Sequence, residues 1–66
     1  MKTLHIVKGL EYFRIRYETG QESKVLESLV EMVNKKDLNF NWFDAAVLSH
    51  QLGLHLAKQL RNYNKQ

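Results

Sequence analysis

Residues 41–63, NWFDAAVLSHQLGLHLAKQLRNY, decide the fold. Set at 100° per residue, this stretch is apolar over far more of its circumference than an exposed helix should be. Ala45, Leu48, Leu52, Leu56, Leu60 and Tyr63 recur every three or four residues, the pattern of a core-facing stripe. Phe43, Val47 and Leu54 point almost the opposite way, and Ala46, Gly53 and Ala57 lie between the two stripes. Only a narrow wedge of Asp44, Gln51, His55, Lys58 and Asn62 is left for water. A helix with two apolar sides needs two things to pack against. The first is the rest of the chain. The second is expected to be another copy, so a homodimer is predicted and Phe43, Val47 and Leu54 become the candidate protein interface.

Both ends of this helix are marked. Asn41 is a suitable N-cap, and Asp44 three residues on sets a carboxylate among the free N–H groups of the first turn, a box-like arrangement. Phe40, just before the cap, is placed to staple onto Ala45. Lys58, Arg61 and Lys65 supply the cations that a helix C-terminus favours. Glycine inside a helix costs ~1 kcal/mol relative to alanine. Gly53 beside Ala57 therefore points either to a close backbone approach or to a tolerated defect.

Working outward, residues 3–7 (TLHIV) and 10–18 (LEYFRIRYE) are rich in strand formers, and Lys8-Gly9 between them serves as a tight turn or as a bulge in one longer strand. In the second run Phe13, Ile15 and Tyr17 share one face while Tyr12, Arg14, Arg16 and Glu18 share the other, a half-buried strand. Thr19-Gly20-Gln21-Glu22 then reads as a capping box opening a helix over about 20–36. Its apolar stripe is Val25, Leu26, Leu29, Val30 and Val33, widened by Met32, and Lys24, Glu27, Ser28, Glu31, Asn34 and Lys35 face water. Residues 36–40 (KDLNF) connect this helix to the long one over 42–63. The expected fold is α+β: an N-terminal hairpin followed by two antiparallel helices (ββαα), the second long and central, as a single domain over residues 1–66.

Size and composition narrow the function. A chain of 66 residues buries only about 60% of its unfolded surface, so good packing or oligomerisation must hold it together. It has no cysteine, which removes disulfides, thiolate chemistry and Cys-based zinc sites. The apolar patch near the amino terminus is broken by His5 and Lys8 and is too short for a signal-peptide core, and no stretch is long enough to span a membrane. A cytoplasmic location is the expectation. The net charge of +3 permits nucleic acid as a partner without requiring it.

No constellation for chemistry emerges. His50 and His55, five apart on a helix, diverge by about 140° and do not converge on a metal. Ser49 and His50 are adjacent and diverge as well, and Asp44 lies on another part of the helix, so no nucleophile–base pair forms there. Gly9, Gly20 and Gly53 are isolated and follow no phosphate-binding spacing. No catalytic residue, metal or cofactor is expected.

The Tyr12-Arg14-Arg16 face is the most suggestive surface, with Lys8 the nearest additional cation. Strand, helix, short loop and capped second helix, over residues 12–63, resemble the ribbon-helix-helix repressors in their order. Two features depart from that pattern: the added apolar strand at 3–7 and a longer first helix. The resemblance implies a small DNA-binding regulator whose symmetric dimer lays a two-stranded ribbon in the major groove. The plainer alternative pairs Arg14 and Arg16 across the sheet with Glu11 or Glu18. The primary expectation is a non-catalytic protein-interaction or accessory module acting as a homodimer. The alternative is a DNA-binding regulator using Lys8, Tyr12, Arg14 and Arg16.

Overall fold

The computed structural model describes residues 1–63, with side chains through Arg61. Expectations resting on the side chains of Asn62, Tyr63 and Lys65 lie outside the described residues. The order is β1 (Lys2–Lys8), β2 (Glu11–Tyr17), α1 (Glu22–Asn34) and α2 (Trp42–Tyr63), a ββαα arrangement of the α+β class. β1 and β2 form an antiparallel two-stranded sheet with Lys8 opposite Glu11, Ile6 opposite Phe13 and Leu4 opposite Ile15.

Gly9 makes the hairpin possible. Its φ is +59°, a conformation that costs L-residues and that the first central position of a two-residue hairpin turn requires in the II′ geometry. The turn is Gly9-Leu10, one residue on from the expected Lys8-Gly9, and Lys8 closes the ladder opposite Glu11 with no bulge. Gly20, at φ +96°, ends the hairpin in a second turn closed by the Gln21 N–H on the Glu18 carbonyl at 3.0 Å. This turn delays α1, which begins at Glu22 and not near residue 20. The Thr19–Glu22 capping box does not form: Gln21 is the N-cap, without a side-chain cap bond. Glu22 instead accepts the Gly20 N–H at 3.0 Å.

The core is one cluster: Leu4 and Tyr17 from the hairpin, Val25 and Leu29 from α1, Phe40 from the link, and Ala45, Leu48 and Leu52 from α2. Phe40 turns inward against Phe13 with ring centroids 5.4 Å apart. The α2 stripe differs from expectation beyond Leu52, because Leu56 and Leu60 are exposed. The reason is geometric. Steps of four residues drift by about 40° around the helix, so the row Leu48-Leu52-Leu56-Leu60 winds off the core. The row that stays on it contains Asp44, Gln51, His55 and Gln59, largely the residues expected to face water. On α1 the outer flank of the stripe is likewise exposed, at Leu26 and Val30.

That polar row is the seam against β1. Gln51 pairs with the backbone of His5 in both directions, accepting its N–H at 3.1 Å and donating to its carbonyl at 2.8 Å. It stands where a third strand would stand and occupies the edge of β1 at that point. Lys2 Nζ donates to Gln59 Oε1 at 3.1 Å. The Tyr17 hydroxyl and His55 Nδ1 share a 2.8 Å hydrogen bond, with the rings stacked 6.1 Å apart.

Candidate functional site

The sheet has one covered face and one bare face. Leu4, Ile6, Phe13, Ile15 and Tyr17 point inward, and the bare face presents Thr3, His5 and Val7 from β1 beside Tyr12, Arg14 and Arg16 from β2. The register sets Arg14 opposite His5 and Arg16 opposite Thr3. The cross-strand partners of both arginines are therefore neutral or basic, and neither Glu11 nor Glu18 pairs with them. Glu11 stands opposite Lys8 and accepts a hydrogen bond from Asn39 at 2.8 Å. Among the described residues Arg14 and Arg16 form no ion pair, the one pair being Lys8–Asp44. Tyr12 lies against His5, centroids 6.1 Å apart and nearly parallel. The alternation in residues 3–7 would have placed His5 on this face once the hairpin register was known.

Lys8 does not join that face. Its ammonium lies 2.6 Å from Asp44 Oδ2 and also donates to the Asn39 carbonyl at 3.0 Å. Asp44 completes a reciprocal cap, accepting the Asn41 N–H at 2.9 Å while its own N–H donates to Asn41 Oδ1 at 3.0 Å. Burial pushes the Asp44 carboxyl up, but the Lys8 hydrogen bond, the Asn41 N–H and the Lys8 charge outweigh it and hold the group below its ordinary value. Burial, reinforced by the charge of Glu22, raises the Tyr17 hydroxyl above its ordinary value. These groups are structural ties between hairpin and α2, and each buried polar side-chain atom among the described residues has a partner.

The second bare surface is the back of α2. Phe43 is 73% exposed and Leu54 55%, with Val47 half-buried. Phe43 flanks a depression that it lines together with Ile6, Val7, Gly9 and Asn39. Around the helix from this stripe runs a second exposed one, with Trp42, Ala46, Gly53, Leu56 and Leu60, which the expectations did not single out. Its upper half borders a groove of 230 Å³ between the helices, lined by Leu29, Val30, Trp42, Ala45, Ala46 and Ser49.

Among the described residues no group of three His, Asp or Glu side chains is placed to hold a metal, and no helix is long and apolar enough to cross a membrane. Ser49 and His50 share no hydrogen bond, and Asp44 is committed to Lys8 and the Asn41 cap. A cleft of 430 Å³ is lined by Lys2, Thr3, His55, Lys58 and Gln59, where Lys2 is bound to Gln59 and His55 to the Tyr17 hydroxyl. Compared with known proteins, the chain matches no family model, no curated protein and no solved structure.

Proposed function

We propose that the protein is a small non-catalytic interaction module that acts as a homodimer and offers the Phe43-Val47-Leu54 stripe to a partner protein. One observation carries this reading: large apolar side chains stand in water along the back of α2 while the core beneath them is complete. Exposed apolar surface of this kind marks interfaces. The test is a photo-cross-linking residue placed at Leu54 in the native cellular setting, with a matched probe at Lys24 on the solvent face of α1. A partner adduct of defined mass from Leu54 and none from Lys24 supports the proposal. Equal adducts from both probes, or none from either, overturn it.

A second reading rests on a separate observation, the bare sheet face on which Tyr12, Arg14 and Arg16 stand with no carboxylate opposite them across the strands. In this reading the protein is a DNA-binding regulator, with the arginines on phosphates or base edges. It calls for salt-dependent binding to duplex DNA in fluorescence anisotropy. The double substitution Arg14→Ala, Arg16→Ala is expected to reduce the slope of log affinity against log salt by about 2. No binding by the native chain at low salt ends this reading.

A further inference from the structure

The second exposed stripe of α2 has the spacing of a helix–helix seam. Trp42, Ala46, Ser49, Gly53, Leu56 and Leu60 follow one another at intervals of four, three, four, three and four residues, the a/d repeat of helices that pair along their length. Trp42 is 62% exposed and Leu60 61%. The buried core residues of α2 end at Leu52, and beyond it Leu56 is 37% exposed and Leu60 more so. Among the described residues, and apart from the backbone of its own helical turns, no atom comes within 4 Å of a Cβ built on Gly53. Intrachain packing thus does not account for that glycine.

The order of sizes along the stripe is self-complementary. Trp42 and Leu60 are equidistant from Gln51 in sequence, as are Ala46 and Leu56, and Ser49 and Gly53. An antiparallel second copy sets each residue against the other member of its pair. Large meets large at the ends, Leu meets Ala next, and the small Ser and Gly meet in the middle, where the backbones approach. The same register brings Leu56 and Leu60 of the second copy against Ala46 and Trp42, which line the 230 Å³ groove between α1 and α2. A parallel pairing instead stacks Trp42 on itself and leaves consecutive layers of Ala, Ser and Gly against their own kind.

The surface area agrees with a missing partner. The folded chain exposes 5196 Å², whereas a compact monomer of 7.8 kDa is expected to expose about 4,400 Å². The chain therefore has surface to spare for an interface, to which each side contributes ~800 Å² at standard size. The radius of gyration, 13.1 Å, likewise exceeds the ~11 Å of a compact chain of this length.

We propose that the occupant of this stripe and groove is a second copy of the chain, in a two-fold antiparallel α2–α2 dimer with Leu56 and Leu60 of each copy seated in the groove of the other. This rests on the homodimer reading above and moves its seam off Phe43, Val47 and Leu54, which then stay free for another protein.

Sedimentation equilibrium on the full chain tests it, with Leu56→Glu, Leu60→Glu and Leu54→Glu compared and circular dichroism confirming retained helix. The native chain and Leu54→Glu are expected at twice the chain mass. Leu56→Glu and Leu60→Glu are expected to weaken the dimer by about tenfold or more. A native chain that stays monomeric overturns both the seam and the homodimer reading. A dimer that survives both seam substitutions, or that all three substitutions weaken alike, overturns the seam and leaves the homodimer standing. Orientation is read by oxidising an equal mixture of Ser49→Cys and Gly53→Cys chains, since the native chain has no cysteine. The mixed disulfide should predominate, and a preference for either like-with-like disulfide overturns the antiparallel register.

Discussion

At the scale of single residues, Lys8 and Asp44 show how a charged side chain becomes a tie between elements. Asp44 is 3% exposed and holds the α2 cap, while Lys8 brings it the end of the hairpin. Replacing Lys8 by Met leaves a buried acceptor short of a donor, which costs about 1–3 kcal/mol. Chemical denaturation at neutral pH is expected to show that loss. The pH dependence follows from the direction of the shift. The folded carboxyl sits below its ordinary value, so its contribution is present above the unfolded pKa of about 3.9 and disappears as pH falls through the lower folded value. Thermal unfolding of the native chain should therefore weaken below about pH 4, and Lys8→Met should lose most of that acid dependence. An unchanged acid limb in Lys8→Met would show that other carboxylates set it. The cap was legible in the sequence but the tie to Lys8 was not, since there Lys8 counts as a surface cation and Asp44 as one wall of a wet wedge. Only the hairpin's position over the α2 N-terminus joins them.

At the scale of elements, Gln51 does for β1 what another strand would do. Its amide satisfies the outward N–H and C=O of His5 and leaves the edge less open to pairing with other chains. Gln51→Ala is expected to cost about 1–2 kcal/mol for the two exposed hydrogen bonds. It should also speed amide exchange at His5 more than at Ile6, whose backbone is paired within the hairpin. Equal protection of His5 in both proteins would sink this assignment. Gly9 acts on the same scale: Gly9→Ala places a side chain at φ +59°, where handedness costs roughly 1–2 kcal/mol. A lower denaturation midpoint with an unchanged denaturant slope is the expected signature.

At the scale of the whole molecule, one small core holds four elements. Leu48 is fully buried within a core shared by hairpin, link and both helices. Leu48→Ala is expected to cost about 2–5 kcal/mol, against a total stability of roughly 3–10 kcal/mol for a chain of this length. Partial or complete unfolding at 37 °C by circular dichroism is the expected outcome, and a folded, unshifted variant would show that α2 is not the centre of the core. Substitutions on the bare surfaces, such as Leu54→Glu, should leave the fold intact because those side chains make little of the core.

Local chemistry determined much of this protein. The hairpin turn at Gly9, the period-two strand through Phe13, Ile15 and Tyr17, and the Asn41–Asp44 cap follow from conformational preference and side-chain spacing within a few residues. Those terms act in any context, which is why the ββαα order and the exposed Phe43-Val47-Leu54 stripe were visible in the sequence. What the rest of α2 faces is a matter of contact. Leu56 and Leu60 have the spacing of core residues, and Gln51 and His55 the chemistry of surface ones, yet the leucines are exposed and the polar pair is half-buried against the hairpin. Helical drift carries the leucine row away from a core that ends at Leu52, and the free edge of β1 offers hydrogen bonds that only polar side chains complete. Only the tertiary structure decided that, because a periodic pattern fixes which residues share a side of a helix and not what stands opposite it.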